Sequence, residues 1–285
     1  MRPMILGFDV EDFVRRTLAE DLGKGGDVTS KATIAADARL TAELVAREPI
    51  VAAGLDVAVE FFRALDESVA VQEFAEDGDR VEPRGLLLRL SGNARAMLAA
   101  ERSALNTLQH LSGIATLTRR YVDAIEGTGA RLLDTRKTIP GLRALEKYAA
   151  RMGGAQNHRM RLDDGILIKD NHVAVAGGIG AAVRAAKDAD SGLQVQVEVD
   201  SLEQIEEALE AGADRLLLDN MSAAALKKAV KLVAGRVPLE ASGGVTLETV
   251  GAIAETGVDY ISVGRITQSA PAVDIGLDFA LAESV

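Results

Sequence analysis

Two acidic side chains, Glu198 and Asp219, close successive aliphatic runs, VQVEV and RLLLD. Carboxylates at the ends of neighbouring strands can share one Mg²⁺ that is bound mainly through phosphate and water. The competing reading pairs Glu198 with Lys169, the residue that closes GILIK, and the residues alone weigh the two evenly. Lys169 ends a run that is apolar on both faces, so its ammonium calls for an anionic partner. Ser242, Gly243 and Gly244 stand between VPLEA and Thr246, where N–H groups at a helix start cradle phosphate. With Gly264 after the next aliphatic run, they match the phosphate site of the last two βα loops of a barrel, a reading favoured over a bare turn.

The second chemical feature is a concentration of positive charge. DTRKTIPGLRALEKYAARMGGAQNHRMR, residues 134–161, holds seven Arg or Lys and two acids in a chain of net charge −11. Arg136 and Lys137 follow the run RLLDT, and either one alone reads as a solvated charge. Pro140 suits the first position of a helix. That helix would place Leu142, Leu145, Ala149 and Met152 on an apolar face and Arg143, Lys147 and Arg151 on another. A solvated stripe is the commoner explanation of such a row. His158 and Arg159, beyond Gly153 and Gly154, are harder to dismiss. His172 fits a structural hydrogen bond better than catalysis.

Composition narrows the partners. The excess of acid argues against binding nucleic acid or anionic membrane, and 3% aromatic residues leave few platforms for stacking bases. The basic segment therefore calls for a small anionic partner. There is no Cys, which removes disulfides, thiol catalysis and cysteine metal sites. The start, MRPMILGFDVEDF, lacks a basic region followed by a long apolar one, and VAVAGGIGAAV is too short to span a bilayer, so a cytoplasmic location is expected.

These residues need a scaffold, and the second half of the chain supplies one by repetition. SLEQIEEALEAGADRLLLDN and TLETVGAIAETGVDYISVGR superpose at an offset of 45, matching Gly212 with Gly257 and Asp214 with Asp259. Each unit opens on a Ser or Thr cap, runs an amphipathic helix to Gly and enters a buried strand. Adding RLLDT, GILIK, VQVEV, RLLLD, VPLEA and DYISV gives strands alternating with helices, which predicts a parallel sheet closing into an α/β barrel. Within VQVEV, alternation turns Glu198 and Gln196 to the interior and the valines outward. The first part differs: strand patterns at 41–54, 69–81 and 85–92 and helical patterns at 9–22 and 55–65 predict a separate α+β domain. A helix from Ala94 to a stop at Gly113 bridges the parts, with the boundary near 110.

DTRKTIPGLRALEKYA, GGAQNHR, LIKDNH, LLLDN and SGGV, in this order, resemble the quinolinate phosphoribosyltransferases, the carboxylating nicotinate-nucleotide pyrophosphorylases. EDLGKGGDVTS, DGDRVEP and ERSALN extend the resemblance over nearly the whole chain, while Ala155, Met152, Arg161 and Arg265 depart from the usual pattern. The resemblance implies an open, incomplete α/β barrel of TIM type over 111–273. It implies an N-terminal α+β sandwich domain over 1–110, joined by a C-terminal segment at about 274–285. It also implies a homodimer with shared active sites.

By the same resemblance Arg136, His158, Arg159 and Lys169 hold the carboxylates of quinolinate, with Arg102 reaching in from the partner subunit and Lys137 near substrate or pyrophosphate. Thr135 joins the substrate-binding set. Glu198 and Asp219 hold Mg²⁺ and the ribose of phosphoribosyl pyrophosphate, whose 5-phosphate falls to Ser242, Gly243, Gly244 and Gly264. Lys137, Lys169, Glu198 and Asp219 form the catalytic set. Two other classes stay open: a barrel lyase or aldolase with Lys169 or Lys137 as a Schiff base, and a non-catalytic anion-binding protein.

Overall fold

The computed structural model describes residues 5 and 7–279. Along the chain these form α1 (Val10–Leu22), α2 (Val28–Thr33), β1 (Arg39–Ala46), β2 (Ile50–Val51), α3 (Leu55–Leu65), β3 (Ala70–Glu73), β4 (Arg80–Val81), β5 (Leu86–Asn93) and the long α4 (Ala94–Ala124). Then follow β6 (Arg131–Leu133), α5 (Arg143–Met152), β7 (Ile166–Ile168), α6 (Asp170–Ala176), α7 (Ile179–Asp188), β8 (Val195–Val199), α8 (Glu203–Glu210) and β9 (Arg215–Asp219). The chain ends with α9 (Ala223–Val233), β10 (Leu239–Ser242), α10 (Leu247–Ala254), β11 (Tyr260–Ser262), α11 (Arg265–Gln268) and β12 (Ile275–Phe279). No helix among the described residues is long and apolar enough to cross a membrane.

Two compact units emerge. The first takes residues up to Thr118, Ala144–Gly154 and those from Ser269 on; the second takes Arg119–Arg143 and Ala155–Gln268. The first unit therefore includes nearly all of α5, which a boundary near 110 assigns to the second.

The first unit is an antiparallel sheet of order β12-β1-β5-β3 with helices. The segment after residue 273 adds β12 along β1, from Ala42 opposite Phe279 to Ala46 opposite Ile275, and residues 280–285 of that expected segment lie outside the described residues. Asp9 caps α1 by accepting from Asp12 N, and Asp27 caps α2 by accepting from Ser30 N, as short acidic side chains do at helix starts. The start of α3 is held from a distance: Asp77 accepts the N–H groups of Gly54 and Leu55 at 2.9 and 3.0 Å and the hydroxyl of Tyr148 at 2.6 Å. Burial, and then Asp77, push the Tyr148 phenol well above its ordinary pKa.

Three expectations fail in this unit. Gly113 does not stop α4, which runs on to Ala124. A Cβ on Gly113 would lie 2.1 Å from the Pro271 carbonyl oxygen, so the glycine admits a neighbouring backbone instead of ending a helix. Nor does α5 begin at Pro140; it begins at Arg143, after a turn in which Gly141 takes φ 85°. The row Arg143, Lys147, Arg151 is no solvated stripe, because Lys147 and Glu146 are fully buried and Glu146 Oε1 lies 2.9 Å from His110 Nε2. Arg151 stacks over Tyr148, 5.6 Å from the ring centroid.

The second unit is the open α/β barrel. Its sheet is parallel throughout, in the order β6-β11-β10-β9-β8-β7, so the first strand pairs with the last and the ladder breaks between β6 and β7. The repeat is visible in detail: Gly212 and Gly257 both adopt φ 92°, the left-handed conformation that ends the helix. The paired acids do the same work, Asp214 accepting Val195 N at 2.7 Å and Asp259 accepting Leu239 N at 2.8 Å, each closing the open end of the adjacent strand. Val195, Val197 and Val199 are buried outward of the sheet; Gln196 and Glu198 face inward. Register carries this interior face from Glu198 to Leu217 and Glu240, and one residue pair further on, Asp219 stands opposite Ser242.

Candidate active site

The carboxyl ends of the barrel strands gather the polar residues. Lys169, just past β7, places Nζ 3.2 Å from Glu198 Oε2; the lysine is half exposed and the carboxylate largely covered. The ion pair weighed in the sequence thus forms, with a lysine that retains access to solvent. His172 plays the structural part expected of it: its Nδ1 accepts the Lys169 N–H at 2.9 Å, fixing the turn into α6.

Asp219, at the end of β9, accepts Asn220 Nδ2 at 2.7 Å. Asn220 has φ 53° and donates its backbone N–H to Ser242 O at 2.9 Å, so the end of β9 is tied to the turn after β10. Gly243 and Gly244 have φ 88° and 60° there, values that exclude most side chains. Gly264 closes the same rim. A Cβ on it would come within 2.7 Å of Lys137 Cδ and 3.4 Å of Thr135 Oγ1, so both side chains lie against its backbone. Thr267 donates from Oγ1 to Lys137 O at 2.7 Å, and Thr135 Oγ1 accepts Lys137 N at 3.0 Å.

The basic loop is organised by a residue that no motif singled out. Asp134, fully buried at the end of β6, accepts Asn157 Nδ2 on one oxygen and the His158 N–H at 2.8 Å on the other. Thus DTRK and NHR form one structure. Arg159 donates to Gly165 O at 3.0 Å. Burial first, and then the charge of Arg136, hold the Arg159 guanidinium below its ordinary pKa, and Nε of Arg136 is buried without a hydrogen-bond partner. Two guanidinium groups this close repel unless an anion lies between them.

His158 faces the other way. Its Nδ1 accepts the Arg159 N–H at 2.8 Å, and its Nε2 lies 3.4 Å from Glu240 Oε2. Glu240, fully buried on the interior of β10, also escaped the sequence reading. Alternation along VPLEA was the available signal, since it turns this glutamate inward as it does Glu198. Arg102 belongs to the first unit, exposed on α4.

Chemically, the rim offers cations for carboxylates, a pair of hard oxygen donors and a glycine turn open to phosphate. Comparison with known proteins identifies the family of the chain. The model of the quinolinate phosphoribosyl transferase C-terminal domain matches residues 114–278, and that of the N-terminal domain matches 27–112. A nicotinate-nucleotide pyrophosphorylase [carboxylating] of Mycobacterium leprae is 47% identical over 94% of this chain and 96% of its own length. A quinolinate phosphoribosyltransferase [decarboxylating] of Nicotiana glauca is 42% identical over 95% of this chain and 82% of its own. The solved nicotinate-nucleotide pyrophosphorylase of Francisella tularensis superposes with a TM-score of 0.91 at 43% identity, covering 95% of this chain and 96% of that one. Motif order, barrel geometry and both domain models lead to one assignment: the chain belongs to the quinolinate phosphoribosyl transferase family.

Proposed function

We propose that this protein transfers the phosphoribosyl group of phosphoribosyl pyrophosphate to quinolinate and releases pyrophosphate, CO₂ and nicotinate mononucleotide, a step of pyridine nucleotide synthesis. The observation that carries this reading is the buried, unpartnered Nε of Arg136 beside a second guanidinium, Arg159. Such a site asks for a ligand with more than one negative group, as a pyridine dicarboxylate has.

Arg136, Arg159 and Lys169 hold the two ring carboxylates and so aim the pyridine nitrogen at ribose C1. Orientation of this kind supplies much of the acceleration. The C1–O bond to pyrophosphate breaks with its electron pair leaving on oxygen, C1 gains oxocarbenium character, and the nitrogen lone pair forms the new C1–N bond. The ring nitrogen is then cationic. The carboxylate next to it leaves as CO₂, its bonding electrons pass into the ring, and the ring carbon takes a proton from solvent. Lys137, packed along Gly264, meets the departing pyrophosphate. Ser242, Gly243, Gly244 and Gly264 receive the 5-phosphate, with Thr135 beside them.

Mg²⁺ suits the remaining donors. Glu198 and Asp219 present hard oxygens from one face of the sheet, and phosphate and water would complete the shell. Bound there, the ion would neutralise charge developing on pyrophosphate. The reading includes a homodimer in which Arg102 of one subunit serves the other's site, and a cytoplasmic location. The decisive experiment incubates purified protein with Mg²⁺, quinolinate and phosphoribosyl pyrophosphate and measures CO₂ and nicotinate mononucleotide, with nicotinate as control acceptor. Absence of product with quinolinate, or equal turnover with nicotinate, would overturn the assignment.

A further inference from the structure

The sheet of the barrel is open along one seam, at the free edge of β6, and the basic loop fills that edge. β6 pairs with β11 on one side; on the other, Gln156 forms a single parallel bridge with Leu133. The Gln156 N–H donates to Leu132 O at 2.9 Å, and its carbonyl accepts the Asp134 N–H at 3.2 Å. The segment around Gln156 thus stands where a further strand would, with one rung of backbone pairing. Asp134 supplies the next rungs from its side chain. It is fully buried, and it accepts Asn157 Nδ2 on one carboxylate oxygen and the His158 N–H at 2.8 Å on the other.

A second tie lies beyond Arg136. Arg143, at the start of α5, donates from Nε to Thr138 Oγ1 and from Nη1 to Met160 O, each at 3.1 Å. One guanidinium therefore spans both basic segments, with the planar fork that suits two acceptors at a fixed separation. Chain order gives the consequence. Arg136 lies between Asp134 and Thr138, and Arg159 lies between His158 and Met160. The two cross-ties, Asp134 to His158 and Thr138 through Arg143 to Met160, close a ring around the two arginines. Burial and then the charge of Arg136 lower the pKa of Arg159, so the pair repels, and without the ties the segments would spread.

We infer that Asp134 and Arg143 are positioning residues that together clamp Arg136 and Arg159 at the spacing needed for two adjacent ring carboxylates. This rests on the activity proposed above. Both residues act through the backbone they hold. A dicarboxylate entering an unclamped site would have to draw two mutually repelling cations together, at a cost in affinity; with the clamp in place that ordering is completed during folding. Lys137 lies within the same bracket but has its own supports, the Thr267 hydroxyl on its carbonyl and the backbone of Gly264 along its stem. The phosphate turn is tied separately, by the Asn220 N–H to Ser242 O. Loosening the clamp therefore affects quinolinate and spares phosphoribosyl pyrophosphate.

The test is steady-state kinetics of the full-length protein. Arg143→Leu removes both donors of one tie, and Asp134→Leu removes both acceptors of the other. Each is expected to raise the KM for quinolinate about tenfold while changing the KM for phosphoribosyl pyrophosphate less than about twofold. Asp134→Asn keeps one acceptor oxygen and should raise the quinolinate KM less than Asp134→Leu does. An unchanged quinolinate KM in Arg143→Leu, parallel rises in both KM values, or Asp134→Asn as impaired as Asp134→Leu would each overturn the inference. Should Asp134→Leu fail to fold, Arg143→Leu decides, since Arg143 is only half-buried. Hydrogen exchange of the unmodified protein without substrates adds a readout that needs no turnover: a protected His158 amide agrees with its bond to Asp134, and exchange as fast as in an open chain refutes it. Product formation by the parent is measured first, so an active parent with indifferent variants counts against the clamp alone and an inactive parent against the proposed reaction.

Discussion

Asn220 and Gly243 share one space. The Asn220 Oδ1 atom sits 2.3 Å from where a Cβ on Gly243 would stand, and the same amide donates through Nδ2 to Asp219. The carboxyl end of β9 and the glycine turn after β10 are therefore locked by a single side chain.

Gly243→Ala should break that lock twice, by strain at φ 88° and by collision with Asn220. Left-handed backbone alone costs about 1–2 kcal/mol for a residue with a Cβ. We expect the KM for phosphoribosyl pyrophosphate to rise at least about tenfold with quinolinate binding retained. Equal affinity for both substrates in the variant and the parent would remove Gly243 from the phosphate site.

Glu198→Gln keeps shape but removes the charge that faces Lys169 at 3.2 Å. Turnover should fall far more than quinolinate affinity, and the dependence on Mg²⁺ should shift to higher concentration. A proportional loss of both would count against the metal and ribose assignment.

Arg159→Ala should raise the quinolinate KM sharply, by the 10- to 100-fold expected from about 1.5–3 kcal/mol for a charge-assisted bond. Relief of repulsion from Arg136 offsets part of this. An unaltered KM would exclude Arg159 from the carboxylate pocket.

Gly113→Ala sets two effects against each other. Helix propensity favours Ala by about 1 kcal/mol, but the new methyl would meet Pro271 O at 2.1 Å. Overpacking of this severity costs about 1–3 kcal/mol or more, so the melting temperature should drop. A rise in Tm would mean that the Pro271 segment yields easily.

Acid should weaken the barrel through Glu240. Its folded pKa lies below the ordinary glutamate value of 4.5, so its ionised form contributes stability above that value. This contribution is lost as pH falls below 4.5 and through the folded pKa. Denaturant unfolding of Glu240→Gln should show a shallower loss over that window than the parent. Parallel curves would place the acid sensitivity elsewhere.

How much was legible in the sequence follows from distance along the chain. The 45-residue repeat predicted both helix-ending glycines, and both adopt the same φ. Alternation in VQVEV placed Glu198 inward correctly, because a period of two is a local property. Pro140, Lys147 and Gly113 misled, since each has a common local meaning that tertiary packing overrides: a turn, burial within the first unit and a backbone approach from Pro271. Asp134 and Glu240 were missed for a related reason. Their partners lie 24 and 44 residues away along the chain, and no spacing rule encodes a side chain reaching across a barrel.

The pairing of β6 with β11 carries a cost in time. Leu132 and Leu133 find their ladder partners at Ile261 and Ser262, so an aliphatic strand made early must wait for the last strand of the unit before its edge is satisfied. Sequence separation of this kind slows folding. A refolding rate governed by this late pairing is its natural signature.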